Sequence, residues 1–447
     1  MIPVIALIGR PNVGKSSLFN VLTRSRDAIV AKEPGLTRDR QYGVGTRADK
    51  TFIVVDTGGL TGEKQDLDDL MAAQTRVAME EADEIVLMVD AQDGLTSGDR
   101  VIADLVRKSG KSCCVVVNKV DGINPDQAQA DFFALGFDRL HMISAAHRKG
   151  INPLLDNLLQ DYDEDQQPQQ TPAGPSIAVI GRPNVGKSTL INRLAGEQRV
   201  VTFDQPGTTR DTISVPFQRG DKHYTLIDTA GVRKRGKVQQ TIEKFSVIKA
   251  LAAIEKSHVV VLVIDARDGL TDQDMTLLGY VLNSGRALVI AVNKWDGLDP
   301  EQRDKNKRVL QRRLPFASFA ARHFISAKHG TGVGELMASV DQAYSSAFKD
   351  LNTRHLTDLL EEAVFKHNPP LHRGRRIKLR YAHQGGRNPP IIVVHGNQTE
   401  HLPDAYLRYL MGFFIARLKL KGTPVRIELK SGKNPFSSKK GAIKRKK

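Results

Sequence analysis

Two cysteines and one tryptophan in 447 residues leave little for cross-linking or thiolate chemistry. Cys113 and Cys114 are neighbours in one apolar run, so they staple no distant segments, and two thiols are too few for a Cys-based zinc site. A reducing, cytoplasmic setting is expected. Long hydrophobic runs are also missing: Val259 to Ile264 is a typical one, far short of the roughly 18 residues that a membrane helix needs. Met1 to Gly9 leads straight into a glycine-rich motif rather than a cleavage site, so neither a membrane nor a secreted protein is expected. No histidines show the HExxH metal spacing.

Positive charge, by contrast, is in excess. The formal net charge is +16, yet 40% apolar and 26% charged residues are ordinary for a globular chain. Residues 349–447 hold 22 Lys and Arg against 7 Asp and Glu, a net of +15, which leaves the preceding 348 residues at +1. The length suggests about three domains at roughly 150 residues each.

An exact internal repeat organises the chain. GRPNVGKS occurs at Gly9, Arg10, Pro11, Asn12, Val13, Gly14, Lys15, Ser16 and again at Gly181, Arg182, Pro183, Asn184, Val185, Gly186, Lys187, Ser188, an offset of 172. The offset persists at Thr37/Thr209 and Asp56/Asp228, then drifts to 175 at Asn118/Asn293 and 182 at Ser144/Ser326, as loop-length changes between matched elements would cause. A period this long means duplicated domains, not a solenoid. Asp161 to Pro175, rich in Gln and Pro, reads as a flexible linker between them. In each unit short continuous apolar runs (Val4 to Gly9, Thr51 to Asp56, Ile85 to Asp90 and Cys113 to Asn118 in the first) alternate with helical stretches. That is the pattern of a parallel α/β sheet covered on both faces, which binds ligands at the carboxyl ends of its strands.

GxxxxGKS after an apolar strand is the phosphate-loop pattern: glycines let backbone N–H groups wrap phosphate oxygens, and the following helix offers its positive end. Lys15 and Lys187 are expected to neutralise the β and γ phosphates, and Ser16 and Ser188 to place hydroxyls on Mg²⁺. Asp56-Thr57-Gly58-Gly59-Leu60 and Asp228-Thr229-Ala230-Gly231-Val232 close strands, where the aspartate suits the metal shell and the glycine amide a γ phosphate. Thr37 and Thr209, in Pro-Gly loops, would complete that shell only with γ phosphate present, which makes these loops order–disorder switches.

The strings Asn118-Lys119-Val120-Asp121 and Asn293-Lys294-Trp295-Asp296 end apolar runs. A carboxylate accepts from N1–H and N2–H₂ of guanine but faces the N1 lone pair of adenine, so Asp121 and Asp296 select GTP over ATP. Asn118 and Asn293 would hold the base and brace the loop. Trp295 reads as loop packing within its motif. Ser144-Ala145 and Ser326-Ala327 would present a backbone N–H to the guanine carbonyl.

The order GxxxxGKS, Thr, DTxG, NKxD, SA resembles the translation-factor-related small GTPases. Its tandem duplication before a basic domain resembles the double-Era-like GTPase family, called Der or EngA, along essentially the whole chain. The resemblance implies two tandem P-loop GTPase domains (1–160 and 176–348, joined by 161–175), a small α+β KH-like basic domain (349–433) and a basic tail (434–447). It also implies a bacterial-type GTPase acting in assembly of the large ribosomal subunit, with rRNA as partner, no membrane, and a monomer off the ribosome. The usual water-orienting glutamine after DxxG is replaced by Leu60 and Val232, which have no donor or acceptor. In related GTPases an asparagine at the fourth place of the phosphate loop coordinates potassium; Asn12 and Asn184 stand there, so K⁺-stimulated hydrolysis is expected beside Mg²⁺.

The carboxyl-terminal pattern reads αββαβ, with no GxxG between consecutive helices, which argues against the RNA clamp of true KH modules. Arg373, Arg375, Arg376, Lys378 and Arg380, with six cations among the last ten residues, are expected to meet phosphate backbones. A second run, Arg233, Lys234, Arg235 and Lys237, follows the second DTAG and would give that unit a cationic switch face for RNA or for the basic domain. The competing functional reading is a nucleotide-gated rRNA chaperone or scaffold in which hydrolysis is incidental.

Overall fold

The computed structural model describes residues 2–23, 41–57, 75–123, 131–162, 174–196, 214–227 and 247–431. The first unit is a six-stranded sheet in the order β2-β3-β1-β4-β5-β6, built from β1 (Val4–Ile8), β2 (Gln41–Arg47), β3 (Lys50–Asp56), β4 (Glu84–Asp90), β5 (Ser112–Asn118) and β6 (Leu140–Met142). The second repeats that order with β7 (Ser176–Ile180), β8 (Val215–Arg219), β9 (Lys222–Ile227), β10 (Val259–Asp265), β11 (Ala287–Asn293) and β12 (Ala321–Phe324). Within these two sheets all pairings are parallel except β2 with β3 and β8 with β9. β4, β10 and β11 are buried at every position, which is why they read as unbroken apolar runs.

The antiparallel edge strands are not legible as apolar runs. β2 carries Gly43 and Gly45, and a side chain at Gly45 would strike the ring of Phe52 on β3. The connecting residues Ala48 and Asp49 both hold positive φ (46° and 68°), as a two-residue hairpin turn requires. Register then aligns the motifs: Leu7 stands beside Asp56, Asp90 beside Asn118, and Asp265 beside Asn293. The switch in strand order falls between β3 and β4, flanking β1, where the phosphate loop begins.

The last domain has three strands, β15 (Lys378–Gly386), β16 (Ile391–Asn397) and β17 (Arg426–Ser431), preceded by a small hairpin, β13 (Leu371–His372) and β14 (Arg375–Arg376). Helices Thr353–Lys366 and Asp404–Arg417 cover one sheet face, packing Leu356, Leu360, Leu410 and Phe414 with Ala382, Ile392 and Val394. The domain docks on the second unit through Gly422, whose N–H donates to the Phe319 carbonyl (2.8 Å) while its own carbonyl accepts from Leu288 N–H (2.7 Å). Its φ of 72° and the proximity of Ala343 restrict that position to glycine. Leu251, on the helix Val247–Lys256 of the second unit, is buried with Val4, Ile53 and Val55 of the first.

Cys113 and Cys114 are free, and burial pushes their thiols up to about 12 and about 11, so neither is a nucleophile at neutral pH. Among the described residues no helix is long and apolar enough to cross a membrane. Most of the expected linker, and the whole of the expected basic tail (434–447), lie outside the described residues.

Candidate nucleotide sites

The phosphate loop leaves β1 at Gly9 and enters the helix Lys15–Leu22 at Gly14; its counterpart leaves β7 at Gly181 and enters Lys187–Gly196 at Gly186. Gly14 and Gly186 hold φ near 100°, and a Cβ at either would collide with the carboxamide of Asn118 or Asn293. The cradle therefore tolerates no side chain there. Those same asparagines lock the loop: Asn118 Nδ2 donates to the Val13 carbonyl (2.8 Å) and its Oδ1 accepts from Ala145 N–H (3.0 Å). Asn293 repeats this with Val185 (2.8 Å) and Ala327 (2.9 Å). The bracing role is thus built in twice, whereas the Ala145 and Ala327 amides, expected to face the guanine carbonyl, point instead to the asparagines.

Lys15 is buried and donates through Nζ to the carbonyls of Gly9 (2.8 Å) and Arg10 (2.7 Å). Burial lowers its pKa and the charge of Asp56 opposes that fall. Lys187 donates to the Arg182 carbonyl (2.7 Å). Both lysines sit folded over their own loops, poised where phosphate oxygens would replace carbonyls as acceptors. Asp56, fully buried at the end of β3, accepts from Ser16 Oγ (2.9 Å), and Thr57 Oγ1 donates to the Leu7 carbonyl (2.9 Å). A hydroxyl and a carboxylate this close form a hard oxygen donor set that fits Mg²⁺. Such an ion, held with the nucleotide, supplies positive charge against the phosphate oxygens.

At the base-reading end, Asp121 accepts from Ser144 Oγ (2.5 Å). The Ser326 hydroxyl is the leading cause that holds Asp296 below the usual carboxylate range. Asp296 therefore stands ionised. His147 Nε2 lies 3.9 Å from Asp121 and His329 Nε2 3.4 Å from Asp296. Lys119 pairs with Asp90 (2.5 Å); Lys294 pairs with Asp265 (2.5 Å) and donates to the Asn184 carbonyl (2.7 Å), tying the base-reading loop to the phosphate loop. Trp295 packs on Phe324 at 4.2 Å, in keeping with loop packing. Asn12 and Asn184 hold φ of 66° and 63° with exposed side chains, so their backbone conformation alone favours asparagine.

Sequence reasoning missed the roles of Arg10 and Arg182 beyond loop membership. Arg10 Nε donates to Asp99 (2.9 Å), which is fully buried and also forms the capping box with Thr96 at the start of Ser97–Ser109. Arg182 does the same with Asp274 (3.1 Å) and the Thr271 capping box. The signal was a second repeated string, DAxDGLTxxD at Asp90 to Asp99 and Asp265 to Asp274.

Thr37, Thr209, Gly58 to Leu60, Asp228 to Val232 and the run Arg233, Lys234, Arg235, Lys237 lie outside the described residues. Among the described ones, no group of three His, Cys, Asp or Glu forms a separate metal cluster.

Comparison with known proteins agrees with this geometry. Residues 4–119 and 176–294 each match the family described as 50S ribosome-binding GTPase. Residues 351–430 match the KH-domain-like family of EngA bacterial GTPase enzymes, C-terminal. The chain is 57% identical over 446 residues to GTPase Der of Thioalkalivibrio sulfidiphilus, covering 99% of this chain and 96% of that one. It is 57% identical over 441 residues to GTPase Der of Marinobacter nauticus, covering 98% and 93%. GTPase Der of Legionella pneumophila strain Lens is 55% identical over 443 residues, covering 99% and 96%. With both G units and the closing domain matched over nearly its full length, the chain belongs to the GTPase Der family and is a GTP-binding GTPase of tandem P-loop domains with a KH-like domain.

Proposed function

We propose that this GTPase of ribosome biogenesis acts on the large subunit in the cytoplasm, as a monomer when off the ribosome, and binds rRNA through its basic carboxyl-terminal domain. The single observation that carries this reading is the duplicated nucleotide constellation on a chain whose net charge is concentrated in the domain and tail after it. In this reading Lys15 and Lys187 neutralise phosphates, and Asp121 and Asp296 read guanine. Ser16, Asp56 and Thr37 in the first unit, and Ser188, Asp228 and Thr209 in the second, hold Mg²⁺. GTP in both units orders the switch loops and completes the RNA-binding surface; hydrolysis releases the particle.

Sedimentation with separated ribosomal subunits tests this. The chain is expected to travel with the larger subunit in a non-hydrolysable GTP analogue and to stay behind in GDP. Equal binding in both nucleotides, or binding only to the smaller subunit, overturns the proposal. Leu60 and Val232, in place of a glutamine, favour a second reading in which GTP sets shape and hydrolysis is incidental; absence of any stimulation of turnover by large subunits would favour it.

Potassium beside Asn12 and Asn184 would add positive charge where charge builds between phosphates, the part an arginine finger plays elsewhere. Because these asparagines also satisfy a left-handed backbone, Asn→Gly keeps the loop shape and removes only the carboxamide. Turnover is expected to be faster in KCl than in NaCl, and the Asn12→Gly, Asn184→Gly double variant to lose that difference. Equal parent rates in the two salts would remove potassium from the mechanism.

A further inference from the structure

The sheet of the last domain has a second face, opposite its two helices. Alternation along the strands places Tyr381 and His383 of β15, Val393 and His395 of β16, and Glu428 and Lys430 of β17 on it. A bulge between Leu379 and Tyr381 re-aims β15 there, so that Leu379 joins the core while Tyr381 turns to the other side. Register lines up Tyr381, His395 and Lys430 in one row across the sheet.

The rings on this face are ordered. Tyr381 and His395 stack at 4.3 Å with planes 7° apart, His383 lies 5.1 Å from His395 at 30°, and Tyr381 to His383 is 6.3 Å at 24°. Val393, on the same face and paired with His383, is only 3% exposed. β15 is an edge strand, and Tyr381 is 44% exposed although engaged in a stack. Desolvation, then His383 and Lys430, keep the His395 pKa below its ordinary value, which suits a neutral stacking ring.

The surroundings are cationic. Arg380 and Lys378 are exposed on the same strand, and Arg375 and Arg376 are exposed on the hairpin just before it. Between Glu362 and Glu400 the chain has no carboxylate at all. Glu428 sits one row away from Tyr381, opposite Val393. An exposed aromatic face on a strand that carries, with the hairpin before it, guanidinium groups lacking an ion-pair partner among the described residues is the chemistry that receives an unpaired base, because stacking needs a free π face and the phosphates on either side need cations. A base inside a duplex offers its edges rather than its face.

We propose that Tyr381, the exposed member of the Tyr381–His395–His383 stack, receives a nucleobase of single-stranded RNA while Arg375, Arg376, Lys378 and Arg380 hold the adjoining phosphates. This rests on the RNA-binding role proposed above and gives it a substrate class: unpaired RNA, with little base preference. It also supplies a route to single strands that does not need the missing GxxG clamp.

The test uses the full chain and fluorescein-labelled twelve-nucleotide oligoadenylate, with a twelve-base-pair RNA duplex as the comparison. Tyr381→Ala is expected to weaken single-strand binding between about fivefold and a hundredfold, the range for losing one stacked base. The salt dependence of binding stays unchanged, because no phosphate contact is removed. Tyr381→Phe keeps the affinity; Tyr381→Ile, which fits a strand but has no ring, loses it as alanine does. Arg375→Gln with Arg376→Gln weakens binding of both RNAs and flattens the salt dependence by about 0.7 per contact on the single strand. Parent-like single-strand affinity in Tyr381→Ala or Tyr381→Ile overturns the proposal, as does an equal loss on single strand and duplex. A parent chain that travels with the large subunit in GTP analogue but ignores the oligonucleotide also overturns it, while leaving the proposed function standing.

Discussion

Asp296→Asn should weaken GTP binding at the second site by about a thousandfold, and Asp121→Asn should do the same at the first, since each loses two hydrogen bonds to a charged acceptor worth roughly 1.5–3 kcal/mol apiece. The loss is sharpened because an asparagine turned to accept from one guanine donor must present its NH₂ to the other. Xanthine carries a carbonyl where guanine has its amino group, so the same variants should gain affinity for XTP. Each aspartate has a hydroxyl neighbour: Ser144 donates to Asp121, and Ser326 helps hold Asp296 ionised. The loops that carry them are pinned by the paired Lys119–Asp90 and Lys294–Asp265 contacts. Competition binding with GTP and XTP on each single variant reads the exchange one site at a time. GTP affinity unchanged in either variant would show that its aspartate does not read the base.

Arg182→Ala should lower the stability of the second unit by about 3 kcal/mol, the low end of what removing one partner from a buried ion pair costs, since the arginine itself is partly exposed. Asp274 is fully buried and accepts from Arg182, from the Thr271 hydroxyl (2.8 Å) and from the Thr271 amide (3.0 Å). Without Arg182 its charge keeps only neutral donors. The same substitution frees the phosphate loop from the helix Asp272–Ser284, so GTP affinity should fall with the unfolding midpoint. Asp274→Asn combined with Arg182→Leu, which removes both charges, should recover much of the stability and little of the affinity. Arg10 and Asp99 should behave alike in the first unit. Parent-like unfolding of Arg182→Ala in nucleotide-free protein would show the tether to be inconsequential.

The parts of this molecule legible in its sequence are those where one residue type has one reason to be present. Strands such as β4 and β10 are buried on both faces, so their apolar runs mark them, and Asp56, Asn118 and Asn293 close strands where the motifs place them. β2 was hidden because an edge strand with Gly43 and Gly45 satisfies its neighbours by lacking side chains. The ion pair of Arg10 with Asp99 joins residues far apart in the chain, and only the repetition of its carboxylate string in both units hints at it. The stack of Tyr381 on His395 has no local signal at all, because a bulge and a strand register create it. Asn12 and Asn184 show the opposite difficulty: a positive φ and a cation ligand each explain an asparagine there.

The proposed function requires two guanine-specific nucleotide sites on one chain. Titration calorimetry on the nucleotide-free chain with Mg²⁺ counts them directly. Two molecules of GTP should bind per chain, and a large excess of ATP should displace neither. Saturation at a single GTP, or uptake of ATP with comparable affinity, would contradict the assignment of the paired aspartates and of the duplicated phosphate loops.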